Sequence, residues 1–351
     1  MGKLAVYKYF SLMFLVIQVI VTIFTITGLF GGNSNPVYGT INAMLVYALP
    51  LLIGANVLLL FYWLIRRRWY LTLIPILTVL CCIPYIGTMF QPRPLNTNVE
   101  GVPGFMVASY NVARFGQETS GFMAQDILSE MKRNKVDVFC VQEYSDVSGD
   151  KKNSTFYADY FPYMVKGKDD MMIFSRFPIR DHKTIAFEQT NNSAMWADID
   201  FNGKLVKVFN IHLETTGFNR TLHVATKMAA HGQNIESNQL IHAIYGNYTM
   251  GMIIRAGQAI TVANECRMSN LPNIVCGDFN DIPYSFVYNT VLGDMVDGFK
   301  ECGSGWMRTY RGNKAARIDY IFHDEKLEGI TYYKTDLNYS DHYPIFMKLS
   351  I

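Results

Sequence analysis

The chain has 351 residues, half of them hydrophobic, with a mean hydropathy of +0.10. Only 17% are charged, against about 25% in a soluble domain, yet 14% aromatic content excludes disorder as the dominant state. Six cysteines are too sparse for a disulfide scaffold, and a net charge of +2 selects no class of partner.

Three apolar stretches come first, at residues 9–30, 41–65 and 69–90, and none contains Asp, Glu, Lys or Arg. Each is long enough to cross an apolar layer of ~30 Å at ~1.5 Å per residue. None shows the polar stripe that a helix of a soluble protein presents to solvent. Residues 1–90 are therefore expected to form a three-helix transmembrane anchor. The first stretch is too long for a signal-peptide core and lacks a small-residue cleavage site, so it should be retained.

Charge sets the expected orientation. Lys3, Lys8, Arg66, Arg67 and Arg68 lie on one side of the spans, and Arg93 alone on the other. The positive-inside rule then places the amino terminus in the cytoplasm and everything after residue 90 outside it.

Residues 91–104 (QPRPLNTNVEGVPG) read as a linker, rich in Pro, Asn and Gly. Residues 105–351 carry 25 Lys and Arg against 28 Asp and Glu, a net of −3, and are long enough for one large core. Short apolar runs at 105–110, 136–142, 171–175, 194–200, 205–211, 273–276, 317–322 and 344–349 predict strands. Helices are expected at 122–133, where Met123, Ile127 and Met131 recur every four residues, and at 253–268. Strands interspersed with helices point to an α/β sandwich.

Polar residues follow these strands in order. Asn111 ends VASYN, Glu143 follows VFCVQ, and His212 and Glu214 lie in FNIHLE. Asp278 and Asn280 stand in GDFN, Asp319 in RIDYIF, and Asp341 and His342 in SDHYP. Carboxylates and amides at the mouths of buried strands are costly unless they bind something. Hard oxygen donors without paired cysteines favour Mg²⁺ or Mn²⁺ over zinc. Any one of these residues alone is more often a turn or cap residue; GDFN by itself is a good Asx turn.

Taken together, GDFN, RIDYIF and SDHYP, supported by SRFPI at 175–179, resemble the endonuclease/exonuclease/phosphatase superfamily over residues 105–351. The resemblance implies a four-layer α/β sandwich, two packed sheets flanked by helices, here preceded by three transmembrane helices as in a membrane-anchored bacterial type. It implies a Mg²⁺ site with Glu143 as principal ligand and Asn111 and Asp341 near the metal directly or through water. Asp278 would orient or deprotonate the attacking water, and Asn280 would hold a phosphate oxygen. His342 would act on the phosphate or the water, with its tautomer fixed by Asp319. His212 would stabilise the phosphoryl oxygens or assist the leaving group, and Glu214 either orients His212 or faces solvent.

The expected activity is hydrolysis of a phosphoester, with a membrane lipid head group or another envelope phosphoester as substrate. The alternative is an exported nuclease, which keeps the chemistry. A domain of net charge −3 lacks the broad basic surface that phosphate-backbone binding uses. The presence of every expected site residue argues against a catalytically silent binding module. The stretch 216–251 is long enough to be a substrate-binding loop, and Trp306, Tyr310 and Arg311 are further candidates for substrate contact. Cys140 and Cys276 read as core thiols, whereas Cys266 and Cys302 could pair in an oxidising compartment.

Overall fold

The computed structural model describes residues 3–97, 99, 101–118, 120–146, 153–168, 170–188, 190–215, 237–312 and 316–351. The chain divides into two compact units, Met1–Thr88 with Pro283–Asn289, and Met89–Ile282 with Thr290–Ile351.

The first unit is built from helices α1 (Lys3–Gly31), α2 (Thr40–Ile65), α3 (Trp69–Cys81) and α4 (Ile83–Ile86). Small residues let α1 and α2 approach: a Cβ on Gly31 would collide with the Asn42 carbonyl. A buried polar seam ties the helices together. Gln18 donates to Asn56 (3.0 Å), Asn56 donates to Thr25 (2.9 Å), and the hydroxyls of Thr22 and Thr78 lie 3.3 Å apart. Such side-chain hydrogen bonds join helices in apolar surroundings.

Two helices, Tyr7–Gly31 and Thr40–Ile65, are long and apolar enough to cross a membrane. The third expected span is shorter than the sequence implied, because the 13-residue α3 stops at Cys81. Pro84 has no N–H to bond the Leu80 carbonyl and its ring crowds that carbonyl, so the helix stops and restarts as the short α4 at Ile83.

The second unit holds two six-stranded sheets. In chain order its elements are β1 (Phe90–Gln91), β2 (Phe105–Asn111), α5 (Phe122–Arg133), β3 (Val138–Gln142), α6 (Asn153–Tyr157), β4 (Tyr163–Lys166), β5 (Met172–Ser175), β6 (Ile179–Ala186), β7 (Ser193–Phe201) and β8 (Lys204–His212). There follow α7 (Ser237–Met268), β9 (Asn273–Asp278), α8 (Phe286–Leu292), β10 (Val296–Asp297), α9 (Gly298–Cys302), β11 (Gly305–Trp306), β12 (Asp319–His323), β13 (Glu328–Lys334) and β14 (Ile345–Ser350).

One sheet runs β13-β14-β2-β3-β5-β4 and the other β10-β12-β9-β8-β7-β6. In each, the central pair is parallel (β2 with β3, β8 with β9) and every other pairing is antiparallel.

The central strands are buried on both faces because both faces are covered. Between the sheets, Val107, Cys140 and Ile173 pack with Ala197, Val208 and Cys276 in one core. On the outer face of the first sheet, α5 contributes Ile127 and Met131 to a second core with the stacked rings of Phe139, Tyr157 and Phe174. Helix α7 is tied to the second sheet by the Lys183–Glu265 ion pair (2.7 Å) and by Asn273 donating to the Cys266 carbonyl (2.9 Å). The sandwich expected from the sequence is the fold observed.

One expectation is corrected, and two open points gain detail. Helix α7 begins at Ser237 rather than 253, so 237–251 is helix, while 216–236 lies outside the described residues. Gln91, at the start of the expected linker, is the second residue of β1, which pairs with β11. Cys266 and Cys302 are both free thiols.

Candidate active site

Strand direction gathers the polar residues. The parallel pairs end together, with Asn111 level with Gln142 in one sheet and His212 level with Asp278 in the other. The antiparallel β12 starts at the same end, opposite Asp278, with Asp319. His342 arrives on the turn before β14 and bridges to Tyr310, whose ring meets the imidazole edge-on at 5.2 Å.

Two backbone features make this convergence possible. Gly277 has φ 140°, and a Cβ there would strike the Ile211 carbonyl, so the G of GDFN is what lets β8 and β9 run this close. Glu143 and Asn280 adopt left-handed φ of 52° and 51°, conformations that cost energy outside glycine and cluster at functional sites.

Asn111 joins the two sheets. Its Nδ2 donates to Glu143 Oε1 and to Asp278 Oδ2, each at 3.1 Å, while its Oδ1 accepts from the Ala113 N–H (3.0 Å). Asp278 is 1% exposed and accepts at Oδ1 from the Asn280 N–H (2.8 Å). The Asn280 side chain donates to the Leu213 carbonyl (2.9 Å), fixing GDFN against the end of HLE.

The two histidines are held differently. His342 Nδ1 lies 3.0 Å from both oxygens of Asp319, and its Nε2 lies 3.5 Å from Asp278 Oδ2. Burial pulls its pKa down, but Asp319, Asp278 and Asp341 outweigh that and lift it to about 10. Burial pushes the Asp319 carboxyl up to about 6, against the pull of His342. The facing carboxylates thus favour the imidazolium form of His342. His212 Nε2 stands 3.9 Å from both Glu143 Oε1 and Asp278 Oδ2, and its Nδ1 is buried without a hydrogen-bond partner among the described residues.

The cluster offers donors to a divalent cation unequally. Asp278, Asp319 and His342 lie close enough to share an ion. A ligating imidazole must be neutral, however, whereas the acids around His342 favour its protonated form and its Nδ1 faces Asp319. The Glu143 side chain is 34% exposed, offers hard oxygens and is oriented by Asn111. That donor set fits a cation that keeps part of its water shell.

Seven of the eight expected residues thus converge: Asn111, Glu143, His212, Asp278, Asn280, Asp319 and His342. Asp341 is exposed at the rim, its Oδ1 accepting from Ser340 (3.4 Å), and it reaches the cluster through its charge on His342. Arg311 is engaged by Asn338 (2.6 Å) and Asp336 (2.8 Å), and Trp306 stands exposed beside Phe90.

Sequence reasoning passes over three residues here. Asp170, whose carbonyl accepts from the Tyr144 N–H (2.7 Å), has a carboxyl raised by burial and by Glu143 and lowered by His212. Beneath the site, Gln142 donates to Asn210 (2.6 Å) and Ser109 (3.1 Å), and Asn210 donates to the carbonyls of Val141 and Met172 (2.9 Å each). These wholly buried amides clasp the two sheets directly below Glu143 and His212. An amide inside an otherwise apolar strand is their only signal.

A sequence profile of the Endonuclease/Exonuclease/phosphatase family matches residues 108–342, about two-thirds of the chain. A second profile, a domain of unknown function (DUF8431), matches residues 11–89. No curated protein sequence matched. Among solved structures, a humanized D. rerio TDP2 with 14 mutations is 17% identical, over 70% of this chain and 99% of its own, at a TM-score of 0.49. A Bacteroides thetaiotaomicron mannosyl-6-phosphatase is 17% identical over 71% of this chain and 100% of its own, at 0.47. Sphingomyelinase C from Streptomyces griseocarneus is 14% identical over 70% and 99%, at 0.46. On the profile match, the chain belongs to the Endonuclease/Exonuclease/phosphatase family, whose members hydrolyse phosphoester bonds with the help of a divalent metal.

Proposed function

We propose that this chain is a membrane-anchored, Mg²⁺-dependent phosphoesterase acting on a lipid head group or another envelope phosphoester. The observation that carries the reading is the Asn111 bridge, which links Glu143 of one sheet to Asp278 of the other beside the His342–Asp319 pair. Glu143 would hold the cation, with Asn111 behind it and Asp341 at the rim. When bound, Mg²⁺ polarises a phosphoryl oxygen and offsets charge in the transition state.

The chain's own groups do the rest. Asp278, buried and aligned by Asn111 and Asn280, orients the attacking water and takes its proton. His342, already protonated, donates a hydrogen bond or a proton to a phosphoryl oxygen, and Asp319 keeps the ring aimed. His212 supports the phosphoryl oxygens or the leaving oxygen, and Asn280 holds a phosphate oxygen.

The proposed organisation is an anchor over 1–90, a linker over 91–104 and a catalytic domain over 105–351, with three crossings and the domain outside the cytoplasm. The five basic residues at one side of the spans support this orientation. The third crossing needs α3 and α4 to act as one broken span. A tether at the bilayer raises the effective concentration of a lipid substrate.

The test is phosphate or head-group release by the detergent-solubilised full chain from a phospholipid panel and from single- and double-stranded DNA, with Mg²⁺ or chelator and with Asp278→Ala as blank. Lipid turnover that needs both metal and Asp278 supports the reading. DNA turnover with inert lipids makes the protein a nuclease instead.

A further inference from the structure

An open cavity of about 760 Å³ lies beside the catalytic residues, lined by Lys168, Glu188, Thr190, Asn191, Asn192 and Glu214, with Phe187 and Ala186 at its edge. Its size falls in the range of small-molecule sites, about 300–1,000 Å³. One carbonyl joins it to the active site: Leu213 O accepts from the side chain of Asn192 on the cavity wall (3.2 Å) and from that of Asn280 in GDFN (2.9 Å). Glu214 lies two residues beyond His212.

The wall is held rigidly from α7. Gln258 accepts from the Glu214 N–H (2.7 Å) and donates to Thr190 Oγ1 (3.3 Å), while Arg255 donates to the Glu214 carbonyl (2.7 Å). Lys168 is positioned through its own carbonyl, which accepts from Ser193 (3.2 Å).

The lining chemistry selects among occupants. A nucleobase needs an aromatic platform, and the one ring among the described lining residues, Phe187, is buried. A quaternary ammonium group wants aromatic faces and no neighbouring cation, which Lys168 denies it. An acyl chain wants an apolar lining. A second phosphate would meet two carboxylates against one lysine.

Vicinal hydroxyls, by contrast, both donate and accept. Glu188 and Glu214 accept, Lys168 donates, and Asn191, Asn192 and Thr190 do both. We propose that this cavity is a subsite for a polyhydroxylated alcohol, a sugar or cyclitol ring, esterified to the phosphate that the active site cleaves. The inference rests on the phosphoesterase reading and gives its substrate a chemical class.

The experiment compares two chromogenic diesters, p-nitrophenyl myo-inositol phosphate and p-nitrophenyl ethyl phosphate, on the full chain in detergent with Mg²⁺. The inositol ester should have the higher kcat/KM by about tenfold or more, through a lower KM, as one or two hydrogen bonds to charged groups provide. Glu188→Gln and Lys168→Met, both at exposed positions, should shrink that preference about tenfold. Equal kcat/KM for the two esters in the unmodified protein, or an unchanged preference in both variants, overturns the subsite.

If neither ester is cleaved, the lipid and DNA panel judges the phosphoesterase reading, and calorimetry with free myo-inositol and methyl mannoside still judges the cavity. Binding that Glu188→Gln abolishes upholds the subsite, and no binding of either polyol overturns it.

Discussion

The two sheets of the sandwich repeat one pattern, a central parallel pair with antiparallel strands on either side, yet the ends of the two parallel pairs are chemically unlike. At the end of β2 and β3 the acid is Glu143, a third exposed and left-handed in backbone. At the end of β8 and β9 it is Asp278, 1% exposed and hydrogen-bonded by Asn111 and Asn280. The same scaffold thus offers one carboxylate open to solvent and another enclosed by hydrogen-bond donors. Burial, not residue type, separates the two tasks.

That contrast can be broken by substitution. Asp278→Ala and His342→Ala should each lower kcat by about 10³-fold or more with folding retained, and added Mg²⁺ should restore neither. Glu143→Gln should also lower turnover, but raised Mg²⁺ should recover part of it. A metal-rescued Asp278→Ala, or a Glu143→Gln indifferent to metal, would erase the division between the sheets.

Next in size is a stability effect confined to the second sheet. Arg317 and Asp297 form a buried two-point ion pair, at 2.8 and 2.6 Å. Arg317→Met strands Asp297 without its partner, so denaturant unfolding should show a loss of about 3–5 kcal/mol. A near-neutral result would mean that the core absorbs the unpaired acid.

Asn111 belongs to both ends at once. Asn111→Ala should raise the Mg²⁺ concentration for half-maximal activity about 10–100-fold, as loss of a group that orients a metal ligand does. An unchanged metal requirement would detach Asn111 from Glu143 in function.

A pH dependence sharpens the acid–base side. His342 rises from 6.5 to about 10 on folding, so its protonation stabilises the fold fully below about pH 6.5, and that contribution is lost as pH rises through about 10. The gap in unfolding midpoint between the unmodified protein and His342→Gln should therefore narrow steadily across that window. A gap independent of pH would mean that the folded imidazole is neutral.

Much of the domain is legible in the sequence because each buried strand is a compact apolar run that ends in a polar residue. VFCVQE and NIVCGD announce both the strand and its mouth. Strand β6, IRDHKTIA, is largely exposed and charged and shows no such run, and the edge strand β4 is hidden for the same reason. The site residues are legible through motifs, but the Gln142–Asn210 clasp is not, since its partners lie 68 positions apart and each looks like one polar interruption in a strand. Helix α7 reads short because 237–252 carries no charge to mark a helix face and includes Gly246 and Gly251.

The site's most telling contacts join residues far apart in the chain: Asn111 reaches Asp278 across 167 positions, and the first sheet is completed only when β14 inserts between β13 and β2. Loops of this length close slowly and late. While the chain is being made, the early strands can collapse and bury their apolar faces, but His342 has no place until β14 docks. Hydrolytic competence should therefore appear in one late step of synthesis, with no partially active precursor before it.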